Sequence, residues 1–185
     1  HYIKQTYRNR CIIASANGPL SLSIPVKRKK GSKTLMRDIR IDYDTNWQKI
    51  HYRGIISAYR ASPFFEFYFD EIEPFLRKRI KFLIDLNDQL LHTTLRQLEI
   101  PVNYRYTDIF QMDQSKIHED CRDLISPKRT IDEDPLFQPV PYMQVFSDKY
   151  GFLSNLSIID LLFNKGPESK EILRKSIVRE VMSKK

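Results

Sequence analysis

Residues 10–27, RCIIASANGPLSLSIPVK, decide the fold expected for this chain because they predict a β-hairpin. A short apolar run at 11–14 precedes the dipeptide Asn17-Gly18, a pair that favours a tight turn between two strands. Apolar residues then alternate with small polar ones, at Leu20, Leu22, Ile24 and Val26. A period of two is typical of a strand with one buried face. Pro25 indicates that this strand ends there or lies at a sheet edge, because proline cannot donate to a ladder.

The pattern continues beyond the hairpin with a third strand and a first helix. Residues 35–44, LMRDIRIDYD, alternate again and predict the strand. Thr45 and Gln48 have the T-x-x-Q spacing of a capping box, so a helix is expected to begin there. Its apolar stripe comprises Trp47, Ile50, His51, Gly54, Ile55, Ala58 and Tyr59. Two short helical pieces, broken near Pro63 and Pro74, are expected to follow.

Three more helices are predicted, and together with the strands they define the fold class. A long helix is expected over about residues 78–98. A helix beginning near Ser154 is stopped by Gly166, and Pro167 opens a last helix that runs to about residue 181. The prediction is one α/β or α+β domain over residues 1–185, in which the hairpin and the third strand form a small sheet. Several helices pack with that sheet, and the C-terminal half is mostly helical.

The proline-rich middle of the chain, residues 101–145, is predicted to be mostly loop. One short strand is expected at 102–106, VNYRY, and a helical turn near 117–125. His118 and Cys121 lie in that turn with H-x-x-C spacing, which would let them share a metal ion. Two ligands are too few for a site and no second pair has ligand spacing, so no metal centre is predicted.

The charge and composition limit the classes of partner that this chain is expected to bind, but they do not identify one. The formal net charge is +8 and the isoelectric point is about 9.4, a balance that favours a phosphorylated ligand, nucleic acid or a membrane surface. No apolar run reaches the ~18 residues of a membrane span. Cys11 and Cys121 form no disulfide framework, so they are expected to be unbonded in a reducing compartment, the cytoplasm. Nucleic acid ranks last because no known binding-module motif is present.

No strong catalytic signature occurs, and His51 is the best candidate for acid–base chemistry. The five glycines have no phosphate-loop spacing, and neither a nucleophile elbow nor HExxH is found. His51 lies on the apolar stripe of the first helix, where partial burial would hold an imidazole near its switching range. A satisfied core histidine is the alternative. Asn87 and Asp160 lie within apolar helices, so each needs a hydrogen-bond partner, through which it bridges two elements or contacts a ligand.

The opening segment, YIKQTYRNR at residues 2–10, concentrates cations and tyrosines. Lys4, Arg8 and Arg10 would hold a pyrophosphate because guanidinium groups match phosphate oxygens, and Tyr2 or Tyr7 would stack on a base or sugar ring. The alternative is a solvated strand edge, where cations discourage aggregation. The three cations are expected to converge on one concave patch with Tyr7 or His51 at its margin. If Asp42 or Asp44 neutralised them, the patch would be structural.

Four stretches together resemble the WbqC-like protein family, especially its Bacteroidetes branch. They are YIKQTYRNRC, NGPLSLSIPV, NWQKIHYRGIISAYRASPFFEFYFDEIEPF and YMQVFSDKYGFLSNLSIIDLLFNKGPES. The resemblance implies that relatives begin earlier, with a strand, a proline- and aromatic-rich loop and a helix similar to nucleotide-binding α/β proteins, so this segment is expected to be missing here. Other branches carry a glycine-rich stretch where this chain has DEDPLFQPVPY, which puts any function of those glycines in doubt.

The resemblance also implies a function, since relatives are often encoded in O-antigen and other surface-polysaccharide loci. It favours a transferase that acts on a nucleotide-linked sugar or an activated acyl donor, with no cofactor indicated. The alternative is a non-catalytic scaffold that contacts a membrane peripherally through basic surface. An anionic small molecule is the expected partner, with His51 as acid or base. The expected ligand-binding residues are Lys4, Tyr7, Arg8, Asn9, Arg10 and Trp47.

Overall fold

A computed structural model describes residues 2–27, 34–106, 126–127, 134 and 136–178. Short strands come first and helices follow, so the predicted α/β or α+β class is confirmed. The strands are β1 (Arg10–Ile13), β2 (Leu20–Ser23), β3 (Val26–Lys27) and β4 (Arg40–Ile41). The helices are α1 (Trp47–Tyr59), α2 (Phe65–Arg77), α3 (Leu83–Gln97), α4 (Ser147–Tyr150), α5 (Ile158–Lys165) and α6 (Ser169–Ser176).

The predicted hairpin is present, and its turn is closed by main-chain hydrogen bonds. β1 and β2 are antiparallel, with Cys11 opposite Leu22. The Ser15 amide donates to the Gly18 carbonyl at 2.9 Å, and the Gly18 amide donates back at 3.0 Å. Gly18 has a φ of 98°, which a residue with a Cβ adopts at a cost. The glycine therefore permits the turn that brings the two strands together.

The third strand is shorter than predicted and belongs to a second sheet. Arg40–Ile41 pairs antiparallel with Val26–Lys27, so the strands form two two-stranded sheets rather than one. A 3₁₀ turn at Met36–Asp38 takes up the beginning of the predicted strand. On its other side β4 contacts the chain that leads to α3, where the Ile41 amide donates to the Lys81 carbonyl at 3.0 Å.

Four details of the central helices differ from the sequence predictions. Asn46, not Thr45, precedes α1, and its side chain makes no capping bond. The Gln48 side chain donates to the Lys78 carbonyl at 2.7 Å instead of completing a capping box. α2 continues through Pro74 to Arg77, although proline lacks the amide that would donate to the carbonyl four residues earlier. α3 begins at Leu83, since the residues before it run beside β4. On α1, Ile50 is exposed rather than buried.

The C-terminal helices also start later or end earlier than predicted. Ser157 precedes α5, and Gly166, with a φ of 52°, ends it as expected. α6 ends at Ser176 because Ile177 leaves the helix to bridge Phe137. The expected strand at 102–106 is not formed. The predicted turn at 117–125, with His118 and Cys121, lies outside the described residues.

Two apolar clusters hold the elements together. One joins the hairpin to α1, α2 and α5 around the fully buried Tyr59 and Phe163. The other joins β4, the first turn of α1 and the first turn of α3 around Ile39, Trp47 and Leu83. α1 contributes to both clusters. The space between the two clusters, beside α1, is where the candidate site lies.

Candidate functional site

A cavity of about 250 Å³ lies between the opening segment, α1, α2, α3 and the start of α5. Most residues that the sequence singled out line it together: Tyr7, Arg8, Asn9, Arg10, Trp47 and His51. Lys4 is exposed and is not among the lining residues. The structure therefore brings six of the seven candidates to one place.

Lys4 lies apart because the opening segment turns instead of extending. Gln5 has a φ of 56°, so side-chain directions do not alternate along the segment as in a strand. The turn is closed by Arg10, whose Nη2 donates to the Gln5 carbonyl at 2.9 Å. Arg8 donates from Nη1 to Thr6 Oγ1 at 3.2 Å. Arg8 and Arg10 line the cavity, whereas Lys4 is exposed to solvent.

Neither arginine of the cavity has a carboxylate partner among the described residues. The bonds that Arg8 and Arg10 make go to neutral oxygens, and both side chains are half-buried. Asp42 and Asp44 do not neutralise them, because both pair with Lys27, at 3.4 and 2.7 Å. Two uncompensated charges at a partly desolvated cavity repel each other and favour an anion from outside.

His51 forms part of the cavity wall. Its side chain is buried, as expected, and its Nε2 lies 3.2 Å from the Ser23 carbonyl, which fixes Nε2 as the donor. The other ring nitrogen, Nδ1, makes no hydrogen bond within the part of the chain that the structure describes. Burial lowers the pKa of His51 from its usual 6.5, and the bond to Ser23 opposes this. A neutral imidazole with a lone pair on Nδ1 can accept a proton.

Trp47 packs against this histidine and leaves its own donor unused. The two rings meet edge to face, with centroids 5.1 Å apart. Only 4% of Trp47 is exposed, yet its Nε1 has no acceptor in the described structure. A buried N–H without a partner costs free energy, so an acceptor atom supplied by a ligand would stabilise this arrangement.

Three side-chain amides hold residues of the cavity wall in place, two through main-chain carbonyls and one through a side-chain hydroxyl. Asn87 of α3 donates from Nδ2 to the Arg8 carbonyl at 2.8 Å, and Asn9 donates to the Ile24 carbonyl at 2.8 Å. Asn155 donates to the Tyr7 hydroxyl at 2.9 Å. Sequence reasoning identified Asn87 as a polar residue needing a partner, and that bridging role is confirmed. Asn155 has no sequence pattern that marks it.

Cys11 lines the cavity but is not activated as a nucleophile. It carries a free thiol, as expected, while Cys121 lies outside the described residues. Burial raises the pKa of Cys11, and a hydrogen bond with Ser157 opposes the effect only in part. A thiol that stays protonated is a poor nucleophile.

Two other features are unsuited to an anionic ligand. A cavity of about 520 Å³ between α5, α6 and residues 136–142 is mostly apolar, and the described residues that line it include no Lys, Arg or His. Asp160 is fully buried and accepts bonds from Tyr142 at 2.7 Å and Gln144 at 3.0 Å, so it bridges α5 to the preceding segment as predicted.

The described ranges hold no cluster of three metal-ligating side chains, and no helix in them is long and apolar enough to cross a membrane.

The fold and the site define a protein of the α/β or α+β class whose paired strands and helices enclose a cavity. Two arginines line this cavity without a carboxylate partner among the described residues. The chain belongs to the WbqC-like protein family, whose model matches residues 1–140. It is also similar to a Mycobacterium tuberculosis protein named "Uncharacterized protein Rv1507c", with 25% identity over 194 residues that cover 94% of this chain and 84% of that protein. No solved structure matches the chain. Ser157, Ile158 and Ile159, which also line the cavity, lie beyond the family match.

Proposed function

We propose that this protein takes part in surface-polysaccharide assembly in the cytoplasm by binding a nucleotide-linked sugar or an activated acyl donor in the cavity. One observation carries the proposal: Arg8 and Arg10 line the cavity together and neither has a carboxylate partner in the described chain. Family membership supports the glycan setting because relatives are often encoded in polysaccharide loci. The proposed class of activity is group transfer.

The arginines would hold the phosphates of the donor. Guanidinium groups form charge-assisted, two-pronged hydrogen bonds with phosphate oxygens, and a half-buried position strengthens them. The cavity volume of about 250 Å³ is just below the usual range for ligand pockets, about 300–1,000 Å³. It would therefore take the phosphates and the adjoining sugar or acyl group, while the remainder of the donor stays outside.

His51 would act as the base. In its neutral form, which the lowered pKa favours near pH 7, Nδ1 takes the proton of an acceptor hydroxyl. The hydroxyl oxygen then forms a bond to the transferred carbon, and the bond from that carbon to the leaving group breaks with its electron pair. Arg8 and Arg10 would stabilise the charge that develops on a departing phosphate. The unused Nε1 of Trp47 would donate to an oxygen of the bound group.

Calorimetric titration with a panel of nucleotide sugars tests the proposal. Arg8→Ala and Arg10→Ala should each weaken binding by about 1–3 kcal/mol, the size of a charge-assisted hydrogen bond. Arg60→Ala is the matched control, because Arg60 is exposed just after α1 and does not line the cavity. Unchanged affinity in both cavity variants, with circular dichroism showing an intact fold, would remove the donor site and leave the scaffold hypothesis ahead.

A further inference from the structure

A second basic concavity lies against a different face of α1. It is a groove of about 570 Å³ between the start of α1, the end of α2 and the chain on either side of them. Gln48, Lys49, Tyr52 and Arg53 of α1 line the groove, whereas Trp47, His51 and Ile55 line the cavity. The helix therefore separates two sites, and Leu76 is the one described residue that lines both.

The residues that line the groove carry an excess of positive charge. Four of its lining residues are cations: Lys49, Arg53, Arg77 and Arg79. None of the described residues that line the groove is acidic. Arg77 pairs with Glu73 at 2.6 Å. Lys49, Arg53 and Arg79 have no ion pair with any residue that the structure describes, and the carboxylates of the neighbouring Asp42 and Asp44 are engaged by Lys27.

Two of these cations, although exposed, lie over tyrosine rings that line the groove. The guanidinium of Arg77 lies 5.0 Å from the centre of the Tyr52 ring, and that of Arg79 lies 5.4 Å from the centre of the Tyr43 ring. Tyr43 is itself fixed, because its hydroxyl donates to the Ile80 carbonyl at 2.9 Å and accepts from the Ile80 amide at 2.8 Å. Because stacking already restricts these arginine side chains, they would lose less conformational entropy on binding a ligand.

We propose that this groove binds the phosphoryl group of a second ligand, separate from the ligand of the cavity. A phosphate or diphosphate carries more than one negative charge and several acceptor oxygens, which three unpaired cations around one concavity satisfy. Gln48 and Lys49 bring the first turn of α1 to the groove, and the start of a helix favours negative charge. The same chemistry is offered by a soluble phosphate ester and by an anionic lipid headgroup.

The test separates the groove from the cavity by using the Arg8→Ala/Arg10→Ala protein as the background. Inorganic pyrophosphate is titrated calorimetrically into this protein, and then into the same protein carrying Arg53→Gln and Arg79→Gln. The added pair should weaken pyrophosphate binding about fivefold or more. The control adds Arg37→Gln and Arg60→Gln instead, which removes the same charge from exposed positions outside both sites and should leave the affinity unchanged.

Equal losses in the groove and control proteins would show general charge attraction and overturn the proposal, as would absence of pyrophosphate binding in the background protein. Because the background already lacks the cavity arginines, failure of the donor site does not affect this result. Sedimentation with phosphatidylcholine vesicles, with and without phosphatidylglycerol, identifies the source. Loss of phosphatidylglycerol-dependent binding in the Arg53→Gln/Arg79→Gln protein assigns a lipid headgroup, and failure of the unsubstituted protein to sediment with these vesicles assigns a soluble phosphate.

Discussion

The side-chain amide of Asn87 donates a 2.8 Å hydrogen bond to the main-chain carbonyl of Arg8, a residue 79 positions earlier in the chain. This bond connects α3 to the segment that carries the cavity's arginines. Because Asn87 binds the main chain of Arg8 rather than its guanidinium, it positions the charge without neutralising it. Asn87 therefore supports the main chain at Arg8, and this role can be tested without changing the charge of Arg8.

Asn87→Ala should lower both stability and affinity for an anionic donor. Losing the bond is expected to cost about 1 kcal/mol of the free energy of unfolding, because the Arg8 carbonyl is left without this partner. Gln97→Ala is the matched control, since Gln97 of α3 makes a similar bond to the Tyr68 carbonyl at 3.2 Å outside the cavity. Urea denaturation and calorimetry should show destabilisation in both proteins but weaker donor binding only in Asn87→Ala. Equal donor affinity in the Asn87→Ala and Gln97→Ala proteins would contradict a positioning role for Asn87.

The stability of the protein should depend on pH through His51. Because the folded state lowers the pKa of His51 below 6.5, the unfolded state binds the proton more readily. The free energy of unfolding should therefore fall as pH drops through 6.5 towards the folded pKa, and His51→Gln should flatten that part of the profile. Denaturation at a series of pH values measures this, with His92→Gln, at an exposed histidine, as the control. A His51→Gln profile that follows the unsubstituted protein would show the prediction wrong.

Gly166→Ala should be strongly destabilising. Gly166 has a φ of 52°, and an added Cβ would lie 2.5 Å from the Phe64 ring. Backbone strain and the clash together should cost more than about 2 kcal/mol. Gly151→Ala isolates the backbone contribution, because Gly151 has a φ of 65° but no atom within 4 Å of the added Cβ. Thermal unfolding of both proteins should show the larger loss at Gly166, and equal losses would mean that Phe64 moves aside at no cost.

Asp160 should weaken the fold as pH rises. Burial raises its pKa above 3.8, so its contribution to stability is fully present below pH 3.8 and is lost as pH rises through the folded pKa. Asp160→Asn keeps an oxygen that can accept from Tyr142 and Gln144 while removing this dependence. Asp148→Asn, at an exposed site on α4, serves as the control. Denaturant midpoints between pH 3 and pH 8 measure the effect, and parallel profiles for Asp160→Asn and the unsubstituted protein would contradict it.

The parts of the fold that local patterns determine were predictable. Alternation and Asn17-Gly18 predicted the hairpin, and helical periodicity placed Trp47 and His51 on the buried side of α1. Tertiary hydrogen bonds decided the rest. Gln48 bonds to the Lys78 carbonyl instead of capping α1, a choice that depends on a residue 30 positions away and that no local pattern records.

The candidate site was predictable in residue types more than in geometry. Arg8 and Arg10 were selected for their charge, and both line the cavity. The inclusion of Lys4 assumed an extended segment, which the turn at Gln5 rules out. Asn155 could not be anticipated, because its contact with Tyr7 joins residues 148 positions apart.

That long-range contact has a consequence for how the protein is made. The Tyr7 hydroxyl meets Asn155, and the Ile12 carbonyl accepts a 2.7 Å bond from the Ser157 amide, so the last wall of the cavity comes from late in the chain. On the ribosome, which adds roughly 5–20 residues per second, the arginines emerge many seconds before that wall exists. A nascent chain that stops before Asn155 therefore lacks part of the cavity wall. The cavity is completed only after these later residues are added, when the hairpin and the central helices have had time to form.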